Sequence, residues 1–282
     1  MNRRDFIKIG ASATALLMHT PAWAAHPGNP LPSDAEILRQ AAASIEQHRK
    51  GDGVISVRNA KDEAIPGALV RVEQLSHEFL FGSDLFTFDR CGKAGLAEPH
   101  RQSFQALLND STVSFGWAWP LHKVWNTCDA CIKPGGLPPH CTEPGILGRA
   151  RQGPGENRAA TNAERETRQA ELAAKFCTTL FGHPAVQAIS WSDPSEPETW
   201  QGAVAGRRHQ DMYPKAVYDR IVGLIKGAWW TSTELPSNAQ GELHLRAYYG
   251  IHRITVRLPN GQSATQEASW TRGSKNQFLV IV

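Results

Sequence analysis

The sequence lacks a strong excess of charge of either sign. Its 30 lysines and arginines face 27 aspartates and glutamates, which leaves a formal net charge of +3 with histidine neutral. A protein that binds nucleic acid or an anionic membrane through its overall field carries a larger basic excess. The composition therefore argues against both partners and permits a neutral one.

A long apolar run is also missing near the start of the chain. The stretch from Ile9 to Met18 is interrupted by Gly and Ser and is shorter than the roughly 20 residues that a membrane-spanning helix needs. Twin arginines, Arg3 and Arg4, precede it, and Ala22-Trp23-Ala24 follows as a small-residue cleavage site. We therefore predict that residues 1–25 are a twin-arginine export signal, and that the mature protein is periplasmic or extracellular and not held at a membrane.

The cysteines do not form a set that can be paired completely. There are five, an odd count for an exported protein, so at least one is unpaired or joined between chains. Cys128, Cys131, His140 and Cys141 offer four zinc-ligand types, but the last two are adjacent and diverge too easily to complete a tetrahedron. An ordinary cysteine-bearing loop is favoured, and we predict neither a metal nor a cofactor.

Apolar periodicity is absent from residues 126–161. This segment is rich in Pro, Gly, Arg, Cys and Thr, a composition typical of loops or disorder. We expect no strand of a barrel within it.

Regular patterns are present on both sides of that segment. Residues 26–76 contain a capping box at Ser33 and Glu36 before a helical stripe, and then two alternating runs, 54–57 and 68–72, that predict a β-hairpin. Residues 231–282 alternate again from 242 to 258, turn at Asn260-Gly261 and end in an apolar strand. We predict a small β-module at each end, with the second as a possible partner of the first.

Between these modules, residues 162–182 carry a helical stripe, and a short apolar run follows at 186–189. That run leads to Trp191 and into a loop rich in Asp, Glu, Pro and Ser. A second amphipathic helix follows Pro214, with an apolar stripe from Val217 to Ile225 and an end at Lys226-Gly227. The order is strand, functional loop and helix.

This block resembles the last strand, loop and helix of the (β/α)8 barrel of glycoside hydrolase family 10, the endo-xylanases. The letters that carry the resemblance are Trp191, Asp193, Trp200, Gly202, Gly206, Asp211, Pro214, Lys215 and Tyr218. Residues 78–86 resemble the first barrel strand, and residues 113–119 resemble the second. The resemblance implies an α/β fold in which residues 77–230 are a partial (β/α)8 (TIM) barrel between the two β-rich modules.

The resemblance also implies a ligand. Members of the family act on xylan, so a plant cell-wall polysaccharide, xylan or a related β-1,4-glycan, is the expected partner. Aromatic rings stack on the apolar faces of sugars, and polar side chains beside them fix orientation. We expect substrate contacts from Trp191, Trp200, Trp117 and Asp193.

The paired glutamates of such an enzyme are not recognisable. A retaining glycosidase holds an acid/base and a nucleophile about 5 to 5.5 Å apart, and in this family they follow apolar strands in Asn-Glu and Thr-Glu or Ser-Glu pairs. The remaining candidates lie in helical or loop context: Glu143, Glu156, Glu164, Glu166 and Glu171. Thr142-Glu143 matches the nucleophile pair, but no apolar strand precedes it, so we assign no catalytic residue.

The segment between Trp119 and Asn162 is also too short for the missing strand-helix units of roughly 30 residues each. An internal deletion or a frame disturbance would explain it. Three interpretations stay open: a xylan-active hydrolase, a non-catalytic carbohydrate-binding remnant, and a decayed gene product.

Overall fold

The computed structural model describes residues 31–83, 110–111, 140–142, 162–191 and 215–282. The chain divides into two compact units, Met1–Ser33 and Asp34–Val282, and the fold below belongs to the second. It is a mixed α/β structure with three sheets and few helices. Within the described ranges, no helix is long and apolar enough to cross a membrane.

Three helices and eleven strands make up the described part. The helices are α1 (Asp34–His48), α2 (Asn162–Gly182) and α3 (Ala216–Gly223), which continues as a π-helical turn (Leu224–Ala228). The strands are β1 (Lys50–Arg58), β2 (Leu69–His77), β3 (Leu80–Ser83), β4 (Asp110–Ser111), β5 (His140–Thr142), β6 (Ala188–Trp191), β7 (Ser232–Pro236), β8 (Glu242–Tyr248), β9 (Gly250–Arg257), β10 (Ser263–Trp270) and β11 (Gln277–Ile281).

Two of the sheets form a β-sandwich from strands at both ends of the described chain. One has the order β11-β1-β8, with β1 and β11 parallel, and the other has the antiparallel order β10-β9-β2-β7. Alternate side chains of these strands point inward and build one core: Ile55, Val57, Ala68, Val70, Val72, Leu243, Ala247, Ile254, Val256, Ala268, Trp270 and Val280. The N-terminal strands therefore pair with the C-terminal ones.

The hairpin expected from residues 54–57 and 68–72 is wrong. Both runs are strands, but β1 has β11 and β8 on its two sides, and β2 lies in the other sheet. The connection between them makes one isolated bridge, between Arg58 and Ala64. Alternation identifies the buried face of a strand but not its neighbour, so a pattern of period two fits a sandwich as well as a hairpin.

The third sheet is parallel and has the order β4-β3-β6-β5. The expected strands around residues 78–86 and 186–189 are present as β3 and β6, which pair directly. Residues 126–161, in which no barrel strand is expected, do contain one short strand, because β5 pairs with β6. β5 has only three residues, too few to show a period in the sequence. The strand expected at residues 113–119 lies outside the described residues.

Both long helices follow their predicted stripes. Ile37, Ala41 and Ile45 are buried on α1, and Ala173, Cys177 and Leu180 are buried on α2. The sequence pattern also places Ala42 and Leu172 on these stripes, but both are exposed. The two helices approach closely at Gly182, where a Cβ atom would lie 2.6 Å from the carbonyl oxygen of Ala41. A glycine at the end of α2 is therefore required by packing.

Arg49, directly after α1, joins these elements. Its side chain is 5% exposed, and its Nε donates to the carbonyl of Phe181 while Nη2 donates to those of His183 and Val186, all at 2.6 Å. The guanidinium also lies 4.6 Å from the ring centroid of Phe79. These bonds tie the end of α1 to the end of α2 and to the turn before β6. We call this group the Arg49 contact.

Replacing Gly182 with alanine should lower the free energy of unfolding by about 1–3 kcal/mol, because the new methyl group overlaps the backbone of α1. Gly223→Ala is the matched control. Nothing lies within 4 Å of a Cβ atom at that helical position, so it should leave stability equal or raised by about 0.5–1 kcal/mol. Urea denaturation of both variants measures this, and equal effects would contradict the close approach.

Candidate functional site

The carboxyl edge of the parallel sheet is the candidate site. Its four strands end at Ser83, Ser111, Thr142 and Trp191, and the pairing places Ser83 beside Trp191. In open parallel sheets, ligands bind outside the carboxyl ends of the strands because the loops that leave there can converge. The chain leaves this edge four times.

Trp191 is the predicted site residue that the structure describes, and it is buried. Its side chain is 3% exposed and belongs to the core formed by α2, α3 and the strands of the parallel sheet. Trp191 is therefore a core residue in this arrangement. Its stacking on a sugar therefore stays a prediction, while its contribution to the core is direct.

The other predicted contacts, Trp117, Trp200 and Asp193, lie outside the described residues. Their places in the sequence follow two strands of this sheet, Trp117 after β4 and the others after β6. The sheet therefore brings together the origins of the segments that carry them. The contacts themselves stay predictions.

Three of the carboxylates considered from sequence lie on a helix. Glu164, Glu166 and Glu171 are on α2, the first and last exposed and the second half-buried. Glu156 and Glu143 are outside the described residues, but Glu143 directly follows Thr142, the last residue of β5. A strand therefore precedes the Thr-Glu pair, but its residues, His140-Cys141-Thr142, do not make the apolar strand of the family pattern.

An aromatic layer supports the amino side of the sheet. The rings of Phe181 and Trp229 stack with centroids 4.5 Å apart, and those of Phe79 and Phe81 lie 4.9 Å apart. Each such pair adds about 0.5–1.5 kcal/mol beyond area burial. Phe79 and Phe81 also contact Phe181, at 5.0 and 5.5 Å between centroids, so the layer packs β3 against the end of α2.

His77 is buried against this aromatic layer, and its two ring hydrogen bonds define its protonation state. Its Nε2 faces the carbonyl of Ile225 at 3.1 Å, which can only accept, so Nε2 carries the proton. Nδ1 then accepts from the amide of Gln74 at 3.1 Å, and the Gln74 oxygen accepts from the backbone of Thr231. Burial lowers the pKa of His77 to about 4, although the Ile225 carbonyl opposes this. Sequence analysis did not find this network.

A second neutral histidine lies in the sandwich. His252 is fully buried, and its Nδ1 donates to the carbonyl of Gly250 at 3.2 Å. Its Nε2 has no hydrogen-bond partner among the described residues, and its ring lies 5.6 Å from that of Trp270. Burial lowers its pKa to about 4.

Metal ligands do not assemble in the described part of the chain. No three His, Cys, Asp or Glu side chains there are placed to hold an ion. Cys177 is a buried residue of α2. Cys128 and Cys131 lie outside the described residues, and His140 and Cys141 are described only as residues of β5.

Comparison with known proteins gives partial structural matches. No protein-family model matches the sequence, and no curated protein matches it. Xylanase 10B from Thermotoga petrophila, solved with xylobiose, superposes with a TM-score of 0.32 and 17% identity over 46% of this chain and 39% of that one. An endo-1,4-β-xylanase from Penicillium canescens superposes with a TM-score of 0.32 and 14% identity, over 47% of this chain and 40% of that one.

A pilus backbone protein from Streptococcus pneumoniae matches 82% of this chain and 40% of its own, with a TM-score of 0.22 and 9% identity. The chain thus spans about two fifths of the length of these proteins. Family 10 xylanases are among the structural neighbours. Scores this low do not establish a shared fold, so they carry no conclusion about activity.

Trp191→Ala should lower the free energy of unfolding by about 3–5 kcal/mol, because it leaves a cavity between the sheet and its helices. Trp230→Ala is the control, since that ring is half-buried and lies beside Lys226. It should cost distinctly less. Thermal and urea unfolding compare the two, and a mild Trp191 variant would show that its ring is not a core residue.

Acid should destabilise the fold between about pH 6.5 and pH 4. The unfolded chain protonates His77 and His252 near their ordinary pKa, whereas the folded chain does so near 4, so the unfolded state binds more protons in this window. Above this window both histidines are neutral in the folded and the unfolded chain, so their full contribution to the free energy of unfolding is present. It falls as pH decreases, by on the order of 3 kcal/mol for each histidine.

Urea unfolding at several pH values measures this slope. His252→Phe should reduce the slope relative to the native protein. A slope equal in the two proteins would contradict the assignment to buried histidines.

Proposed function

We propose that the protein is an exported carbohydrate-binding protein of xylanase-like descent, which holds a xylan-type β-1,4-glycan at the carboxyl edge of its parallel sheet and turns it over slowly or not at all. One observation carries the proposal. β3 and β6 pair in parallel in the register Leu80 with Ala188 to Ser83 with Trp191.

This pairing supports the proposal because of how a barrel closes. In a (β/α)8 barrel the first and last strands are neighbours. β3 resembles the first strand of the family in sequence and β6 resembles the last, and they are far apart in the chain. β4 pairs on the outer side of β3, and β5 on the outer side of β6. These are the places that a second and a penultimate strand would take.

The small number of carboxylates in the parallel sheet favours sugar binding over catalysis. The four strands contain a single carboxylate, Asp110, and no glutamate. Glu143, directly after β5, would serve as nucleophile by the family pattern, but no Asn-Glu pair after an apolar strand supplies an acid. Without a proton for the leaving oxygen, a nucleophile alone does not release the sugar efficiently.

A second candidate function is weak glycosidase activity through Glu143. The observation that favours it is β5 itself, because a strand now precedes the Thr-Glu pair. The two candidates share the ligand and differ in turnover. One set of variants therefore distinguishes them.

Binding is tested with insoluble xylan. The purified protein should be retained, and Trp200→Ala should reduce retention several-fold by removing a stacking surface worth about 1 kcal/mol or more. Trp230→Ala is the matched control, because Trp230 contacts His77 on the amino side of the sheet. Retention unaffected by Trp200→Ala, or equally reduced in both variants, would contradict a sugar site at the carboxyl edge.

Turnover is tested with a reducing-sugar assay on soluble xylan. The proposal predicts no release above background for the native chain and for Glu143→Gln alike, with binding intact in both. Release that Glu143→Gln abolishes would establish the second candidate. Glu156 and Glu198, the latter in the acidic stretch between Trp191 and Trp200, are the other carboxylates to vary. Release that survives Glu143→Gln but is lost in Glu156→Gln or Glu198→Gln would place the chemistry on one of them.

A further inference from the structure

A cavity of about 290 Å³ lies on the amino side of the parallel sheet, away from the candidate site. Arg49 and Phe181 line it from the ends of α1 and α2, Gln187 from the residue before β6, and Tyr249 and Arg272 from the sandwich. The volume is at the small end of ligand pockets and suits one small molecule.

The charge of this cavity is predominantly positive. Arg49 and Arg272 both line it, with Glu78 as the one lining carboxylate. Arg272 makes no ion pair with any described residue; its guanidinium lies 5.7 Å from the ring centroid of Tyr249. Burial and the neighbouring Arg272 lower the pKa of Arg49 to about 9, so Arg49 is charged at neutral pH.

Arg49 has hydrogen-bond donors that the Arg49 contact does not use. Its Nε and Nη2 bond to the three carbonyls of the Arg49 contact. The two N–H groups of Nη1 have no acceptor among the described residues. Because the Arg49 contact fixes the guanidinium plane, these donors are pre-organised and lose little entropy on binding an acceptor.

We propose that this cavity binds the carboxylate of a small acidic sugar, of the size of a single hexuronic acid. A guanidinium fork matches a planar carboxylate, and the charge-assisted bonds are about twice as strong as neutral ones. Gln187 and Glu78 are exposed at the cavity and suit sugar hydroxyls, while the ring of Tyr249 suits an apolar sugar face. Glu78 also disfavours a doubly charged phosphate.

The site is independent of the proposed xylan site. It lies on the opposite edge of the sheet and uses none of the residues predicted to contact xylan. Its failure would leave the proposed function untouched, and the reverse also holds.

Calorimetric titration of the full chain with glucuronate tests the assignment. Glucuronate should bind with a dissociation constant on the order of 1 mM, and glucose, its neutral analogue, should bind at least tenfold more weakly. Arg272→Gln should weaken glucuronate binding about tenfold. Lys275→Gln removes the same charge from the same β10–β11 connection but does not line the cavity, so it should leave binding unchanged.

Inorganic phosphate is the third compound to be titrated, after glucuronate and glucose. Tighter binding of phosphate than of glucuronate would overturn the carboxylate assignment, and equal binding of glucose and glucuronate would overturn the role of charge. Equal losses in the Arg272 and Lys275 variants would show a general surface field instead of this cavity. Arg49 is not varied, because its bonds hold α1 to α2 and its loss would unfold the site.

Discussion

The structure depends on one buried cation that bonds to three backbone carbonyls. The carbonyls of Phe181, His183 and Val186 lie where α2 ends and the chain turns toward β6, a region where carbonyls lose the donors of a continuing helix. The carbonyl of His183 also accepts from the backbone N–H of Val186 at 3.2 Å. Arg49 satisfies all three from the residue that joins α1 to β1. Burying a charge is costly, and this one is retained because its carbonyl partners and two aromatic rings replace water.

The helices and most strands were predictable because their signals are local. A stripe at helical spacing identified α1, α2 and α3, and alternation identified β1, β2, β8 and β9. Partner choice was not predictable: β1 and β2 are close in sequence but lie in different sheets, because both fit an inward-facing alternation. β5 is too short to have a period, and β7 and β10 carry mostly polar or exposed side chains.

In the candidate site, too, local features were predictable from the sequence and long-range contacts were not. Trp191 was predictable as an aromatic residue at a strand end, but its burial belongs to a core shared with α2 and α3, which no local pattern encodes. The Arg49 contact, the Gln74–His77 network and the cavity beside them join residues more than 100 positions apart. Such groups become visible only when the fold brings them together.

The sandwich also sets the order in which the chain can fold. The central strand of one sheet, β1, hydrogen-bonds to β11 on one side and to β8 on the other. Residues 50–58 therefore cannot complete their pairing until residues 242–281 have been synthesised. During synthesis, the N-terminal strands leave the ribosome with both edges open and unpaired for most of translation. Pairings of such high sequence separation form slowly, which gives a cell time to keep the chain unfolded or bound before its two ends meet.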